Sequence, residues 1–336
     1  MTTIKDVAKQ AGVSVATVSR VVNNAPRVSE KTKATVLKVM EELNYTANAN
    51  ARALVTQKNM TIGVVIPDLT DPFFALLAHG VEQIAREQSM QLLLSTCLLT
   101  PESEQQAINL LIERQCDVMV VHSTKLEDEV LISLSKKVPG LVLIGRLIED
   151  LAHRCVWLDN TEGGKIAARH LLSLNHKNFA YISSSLKVND KNLRLHGFKS
   201  ALKNVDNQNY NCMVKEGYPD YQGGERAAQD LLASGREFSA LFVYNDAMAI
   251  GAISALEDNG FHVPMDISVI GFDDVLLSSY SRPKLTTLNY PIEEMAMKAA
   301  KIALMLKSIS DTQDHDNSNR YIPRLVKRES TTVCTK

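Results

Sequence analysis

No apolar run in these 336 residues approaches the ~18 needed to cross a bilayer, which argues against a transmembrane helix. The N-terminus goes straight into charged, amphipathic sequence, with no apolar stretch of the secretory-signal kind. The cysteines are few and dispersed. Cys97, Cys116, Cys155, Cys212 and Cys334 are an odd number without C-x-x-C spacing, the pattern of buried thiols in a reducing compartment rather than of a disulfide framework. A cytoplasmic protein is expected. The G-x-G-x-x-G, P-loop, G-x-S-x-G and H-E-x-x-H motifs are all missing, and the eight histidines show no metal-ligand spacing. No catalytic residue, cofactor or metal is therefore predicted, and the chain reads as a non-enzyme. Trp157, the single tryptophan, lies in the apolar run Cys155-Val156-Trp157-Leu158 and reads as core.

What is present is a contrast of charge. Residues 1–58 carry nine Lys or Arg and four acids; the remainder keeps 28 of the 37 bases and 34 of the 38 acids. A near-neutral total thus hides a basic head (+5) on an acidic body (−6). A basic head suits phosphate neutralisation and counterion release, although a solvated helical face can be equally basic. With 45% hydrophobic and 22% charged residues the chain can build substantial cores, enough for two or three domains.

Within the head, residues 2–24 read as two short amphipathic helices joined by Ala11-Gly12-Val13-Ser14. The turn needs a positive φ, which Gly12 supplies, and Ser14 can accept a bond from a free N–H of the next helix. Val7, Ala8, Ala11, Val13, Val18 and Val21 are spaced for mutual packing, leaving Val15, Ala16, Thr17, Ser19, Arg20 and Asn23 on or near the outer face. This is the pattern of a helix-turn-helix, whose second helix enters the DNA major groove; a plain helical hairpin with a solvated face is the alternative. Ser29-Glu30-Lys31-Thr32 opens a third helix running to about Leu43. The alanine-rich Asn48–Leu54 is helix-prone but too short to be stable alone.

From Met60 onward strands and helices alternate. Thr61–Ile66, Leu92–Leu94, Val118–Val121, Leu141–Ile144, Phe179–Ile182, Met213-Val214, Ala240–Val243 and Ser268–Gly271 are the predicted strands, with amphipathic helices between most of them. Nearly continuous apolar strands imply parallel sheets covered on both faces, in two similar subdomains with ligands at the carboxyl ends of the strands. Polar groups collect at those ends: Asp68 and Asp71 with Phe73 and Phe74, Tyr244-Asn245-Asp246, Asp273-Asp274, and Arg194 opening a helix after a polar loop. Carboxylates, an amide, a guanidinium and aromatic faces suit a polyhydroxylated ligand. Each residue also has a plainer use, since Asp71, Asn245 and Asp246 could cap helices and Asp273-Asp274 could form a turn.

Residues 2–24, Asn48–Leu54, Asp71-Pro72-Phe73-Phe74, Arg114-Gln115-Cys116, Val243-Tyr244-Asn245-Asp246, Gly271-Phe272-Asp273-Asp274-Val275 and Arg282-Pro283-Lys284-Leu285-Thr286-Thr287 together resemble the LacI/GalR family of bacterial transcriptional repressors. The likeness covers essentially the whole chain, fades around Ser308–Asn319 and is strongest to the galactose-responsive branch. It implies an all-α helix-turn-helix head (1–46), a hinge helix and linker (47–59), and an α/β body (60–336). The body would consist of two doubly wound parallel-sheet subdomains like those of periplasmic sugar-binding proteins. The first spans about 60–160 and 291–322, the second about 161–290 and 323–336, with crossings near Asn160, Tyr290 and Ile322.

The resemblance further implies a homodimer on a pseudo-palindromic double-stranded operator, without membrane contact. Val15, Ala16 and Arg20 would face base edges, Thr17, Ser19 and Asn23 would mostly hold phosphates, and Thr3 and Ser14 are further DNA-binding candidates. The hinge would contribute Asn48, Asn50, Arg52 and a wedging Leu54. A sugar effector, galactose first, would meet Asp71, Phe73, Arg194, Asn245 and Asp273, with Asp159 and Tyr221 as further candidates, and would release the operator. A response to ribose, another sugar or a nucleoside, or a corepressor of opposite sign, is the alternative. The tail beyond Ser330-Thr331-Thr332 has no leucine heptads, so a dimer rather than a tetramer is expected.

Overall fold

The computed structural model describes residues 2–22, 28–45, 61–203, 210–308 and 319–335. The chain divides into two compact units, Met1–Met60 and Thr61–Lys336. Among the described residues no helix is long and apolar enough to cross a membrane.

The first unit contains α1 (Ile4–Gln10), α2 (Val15–Val22) and α3 (Glu30–Glu42). Gly12 turns the chain at φ +64. Ser14 Oγ accepts from Thr17 N at 3.1 Å, and Ser29 Oγ from Thr32 N at 3.2 Å, so each serine satisfies an orphan donor at a helix start. Val7, Ala8, Val18, Val21, Val36 and Val39 form one small core shared by all three helices.

The second unit holds two six-stranded sheets. In chain order its elements are β1 (Thr61–Ile66), α4 (Pro72–Glu87), β2 (Gln91–Thr96), α5 (Pro101–Glu113), β3 (Val118–Val121), α6 (Asp128–Lys137), β4 (Gly140–Ile144) and β5 (Cys155–Leu158). There follow α7 (Asn160–Ser173), β6 (Phe179–Ser184), α8 (Asn189–Lys203), β7 (Cys212–Gly217), α9 (Tyr221–Ala233), β8 (Ala240–Val243), α10 (Asp246–Asp258), β9 (Ser268–Asp273) and β10 (Thr286–Asn289). Last come α11 (Ile292–Ser308), β11 (Arg320–Tyr321) and β12 (Arg324–Val326). The sheet orders are β11-β5-β4-β3-β1-β2 and β12-β10-β9-β8-β6-β7. All pairings are parallel except β10 with β12. Central strands such as β3, β4 and β8 are buried throughout, as strands covered on both faces must be.

The chain crosses between sheets three times: after β5, after β10 and between β11 and β12. Two glycines set the helix packing that matters for function. A Cβ on Gly164 of α7 would lie 2.0 Å from the Arg194 carbonyl, and one on Gly197 of α8 would lie 2.0 Å from the Thr161 carbonyl. The two helices therefore touch backbone to backbone, which brings the start of α7 within reach of Arg194.

Trp157 departs from the core position expected of it. It is half-buried in β5, next to the edge strand β11, with the Arg320 guanidinium 5.7 Å from its ring. It packs as a partly buried ring on the margin of the first-sheet core.

Candidate functional site: strand ends around Arg194

Arg194 is 3% exposed and organises the polar ends of the second sheet. Its Nε donates to Asn160 Oδ1 at 2.9 Å and its Nη1 to the Tyr244 carbonyl at 2.6 Å. It forms ion pairs with Asp190 at 3.6 Å and Asp273 at 3.8 Å, and its guanidinium sits 3.7 Å from the Phe272 ring centre and 4.7 Å from that of Tyr244. Burial works against its charge, but Asp190, Tyr244 and Asp273 outweigh burial and hold the guanidinium protonated.

Burial pushes the Asp273 carboxyl well above the usual carboxylate range; Arg194 opposes the rise, and Asp246, Asp71 and Asp190 reinforce it. Asp273 also has φ +108 and is followed by Asp274 at φ +59, two consecutive residues in the region that L side chains rarely occupy.

Asp71 caps α4, accepting from Phe73 N at 2.9 Å, and burial raises its carboxyl. Phe73 is 8% exposed and packs edge-on against Phe74 (5.2 Å) and Tyr290 (4.8 Å). Tyr221, the first residue of α9, has its phenol raised by burial and by the nearby charges of Asp71 and Asp246. Tyr218 instead lines a separate depression with Glu216, Asp220 and Arg226. Asn245 caps α10 through Oδ1 (Met248 N, 2.9 Å), while its Nδ2 donates to the Pro219 carbonyl at 3.2 Å.

The charges of Arg194 and Asp71 both act on Asp273, Tyr221 lies near Asp71 and Asp246, and Asn245 follows Tyr244, whose carbonyl Arg194 bonds; these side chains make up the candidate site. Asp159 does not join them. Its Oδ1 accepts from Glu162 N at 2.8 Å to cap α7, and its Oδ2 pairs with Arg320. Both oxygens are engaged at the crossing between β5 and α7.

Several site residues escaped sequence reasoning. Asp190 accepts a bond from Tyr244 Oη at 2.8 Å and completes the enclosure of Arg194. His122 follows β3 directly, lies edge-on to Phe74 at 5.0 Å, and has its Nδ1 buried without a partner. Burial lowers the His122 pKa, while the charges of Asp190 and Glu104 oppose that effect. The rule that ligands gather at strand ends would have found His122; nothing local marks Asp190.

In the head, Thr3, Ser14, Val15, Ala16 and Arg20 are exposed, Val15 by 41%, while Thr17 and Ser19 are half-buried. Ser14 Oγ and Thr17 Oγ1 lie 2.9 Å apart, and Thr3 donates twice to Asp6. Asn23, Asn48, Asn50, Arg52 and Leu54 lie outside the described residues. Among the described residues no group of three or more His, Cys, Asp or Glu is placed to hold a metal ion.

Residues 3–48 match the model for bacterial regulatory proteins of the lacI family, and residues 168–331 match a periplasmic binding protein-like domain. The transcriptional regulator GalR of Salmonella typhimurium is 45% identical over 335 residues, covering 100% of this chain and 97% of that protein. GalS of the same species is 42% identical over 98% of this chain and 96% of its own length. The lac repressor dimer bound to operator and the anti-inducer ONPF superposes with a TM-score of 0.85 at 27% identity, covering 98% of this chain and 99% of that one. Helical head, paired α/β sheets and full-length relatedness agree: the chain belongs to the lacI family of bacterial transcriptional regulators.

Proposed function

We propose that this protein is a sequence-specific repressor that binds a pseudo-palindromic operator as a homodimer and releases it when D-galactose enters the cleft of its body. The observation that carries this reading is the full-length relatedness to GalR and GalS. In the head, exposed Val15, Ala16 and Arg20 read base edges, the Arg20 guanidinium being suited to a bidentate contact with guanine. Thr3, Ser14, Thr17 and Ser19 serve the backbone. The contributions of Asn23, Asn48, Asn50, Arg52 and Leu54 rest on the sequence alone.

In the body, the chemistry of the strand ends favours a neutral polyol. Asp190 and Asp273 flank one buried cation, with Asp71 close enough to act on Asp273, and that cation's donors are already directed to Asn160, Tyr244 and the two carboxylates. A phosphate or carboxylate ligand would meet net negative charge, whereas sugar hydroxyls can both donate to Asp71 and Asp273 and accept from Asn245. Phe73 and Tyr221 supply ring surface for the C–H face of the sugar. The ligand leaves unchanged; its work is the coupling free energy between cleft and operator, which acts reciprocally.

A thermal-shift screen with galactose, ribose, a purine nucleoside and galactose 1-phosphate checks the effector, since a ligand that prefers the folded state raises its melting temperature. Galactose should shift the midpoint and the phosphate should not; a shift with the nucleoside alone would replace the galactose reading. In gel shifts Arg20→Ala should lose operator-specific retardation while galactose binding persists. Retained specificity would sink the recognition-helix assignment.

A further inference from the structure

Asp246 is the first residue of α10 and is 1% exposed. The capping of that helix is already performed by Asn245, so the Asp246 carboxylate is not needed there. It points instead toward the turn after β9. Its Oδ1 accepts from Thr287 Oγ1 of β10 at 2.5 Å, and its Oδ2 accepts from the backbone N–H of Val275 at 3.0 Å. Gly271 of β9 makes the room: a Cβ there would lie 2.3 Å from Asp246 Oδ1. The segment fixed in this way holds the two consecutive left-handed residues Asp273 and Asp274, and such backbone persists only where its surroundings over-determine it. On the far side, Asp274 is gripped by Arg328 Nη2 at 2.6 Å and Asn289 Nδ2 at 3.1 Å.

We propose that Asp246 is a positioning residue of the effector site, holding through the Val275 amide and the Thr287 hydroxyl the strained turn that presents Asp273 to Arg194. The assignment rests on the reading of that cleft as the sugar site. It also makes the site sensitive to pH near neutrality. Burial raises the Asp246 carboxyl to about 7, against the pull of Thr287 and the Val275 amide. The charged or titratable groups that face it are Asp274 and Asp273 on the turn, Arg328 on the C-terminal segment and Tyr221 on α9. The ionised form accepts both bonds. Once protonated, the carboxyl keeps both contacts only by donating its proton from Oδ1 to Thr287 Oγ1, which exchanges charge-assisted bonds for weaker neutral ones. The turn is therefore tightest above about pH 7 and loosens as pH falls.

Hydrogen exchange of the ligand-free full-length protein tests this, followed at residues 271–278 from about pH 5.5 to about pH 8.5 and corrected for intrinsic rates. Asp246→Asn should raise exchange at that segment by about tenfold at the alkaline end, flatten its pH profile, and weaken galactose binding by about the same factor. Thr287→Val, which removes one bond and keeps the carboxylate, should give a smaller rise with a pH profile that persists but moves to higher pH, since the lost bond had held the carboxyl down; it decides the matter if Asp246→Asn does not fold. Wild-type exchange at residues 271–278 in both variants would overturn the proposal. Failure of wild-type protein to bind galactose would instead overturn the effector reading, and the exchange profile would still decide what holds the turn.

Discussion

The two halves of the body share a strand order but not a chemistry at their strand ends. Each sheet runs second, first, third, fourth and fifth strand of its half, then a late strand from the C-terminal region. In the first half the groups after β1 and β3 are chiefly rings: Phe73, Phe74 and His122, with Asp71 as the one carboxylate that faces the site. In the second half they are carboxyls and one cation: Arg194 paired with Asp190 and Asp273, and Asp246 held by Thr287 and the Val275 amide. The second half is thus held in place by its own ion pairs and hydrogen bonds, and the first adds ring surface and the Asp71 carboxyl. That division suits a cleft whose closure is the signal.

The sharpest way to break the comparison is to remove the cation. Arg194→Met deletes the partner of two carboxylates and the donor to Asn160 and the Tyr244 carbonyl. Breaking a buried pair by removing one side costs about 3–5 kcal/mol, so a large drop in unfolding free energy and no measurable galactose binding are expected. If the variant melts like wild type, the second half is not organised around Arg194.

Next in size is Asp273→Ala, read by titration calorimetry and by operator release. It should weaken galactose by about a hundredfold, a loss of 2–3 kcal/mol typical of removing a charged hydrogen-bonding group from a buried site. Operator binding should persist but no longer respond to the sugar. A normal response would remove Asp273 from the site.

How much of this was legible in the sequence follows from the range of each interaction. Gly12, Ser14 and Ser29 act on neighbours within a few residues, so the helical head could be read locally. Continuous apolar runs such as Val118–Val121 revealed the buried strands for the same reason. The helix Ile292–Ser308 was not foreseen; its buried stripe of Met295, Ala296, Ala299, Ala300 and Ala303 takes its meaning only from the first sheet and α4, some 200 residues earlier. In the site, Asp71 and Asp273 stand out as polar residues near strand ends, whereas Arg194, expected to open its helix, lies in the second turn because α8 starts at Asn189. Asp190 and Tyr244 meet across 54 residues, and Asp159 is drawn away by Arg320, 161 residues later. Spacing along the chain carries no trace of such pairings.

The halves also differ in how they are sealed. The C-terminal segment is fastened to the second sheet through two buried histidines: His170 Nε2 lies 3.0 Å from Thr331 Oγ1, and His176 bonds Ser239, Ser268 and the Thr332 carbonyl. Burial, helped by the charges of Lys327 and His176, lowers His170 to about 4; burial lowers His176 as well. Above about 6.5 both histidines are neutral folded or unfolded, and stability is unaffected. Below it the unfolded chain gains protons that the folded one refuses, so stability falls as pH drops toward 4, by roughly 2–3 kcal/mol from His170. Denaturant melts at several pH values should show this, with hydrogen exchange rising first at the second sheet. His170→Gln should flatten the slope; an unchanged slope would place the acid lability elsewhere.

The smallest expected effect lies where the halves touch. Glu104 is completely buried in α5 and accepts from Ser123 Oγ (2.6 Å) and from the backbone N–H groups of Thr124, Lys125 and Leu126 at 2.9–3.2 Å, so the loop after β3 is rigid. From that loop Lys125 Nζ donates to the Lys187 carbonyl of the second half at 2.7 Å. The bond is exposed to solvent, where an ammonium loses little by returning to water, so Lys125→Met should weaken galactose binding by only about two- to fivefold. Its effect should appear in the dissociation rate, because the bond holds the halves together once closed and contributes nothing to the charges that select the sugar. An altered sugar preference in this variant would mean that the contact also shapes the side chains that read the ligand.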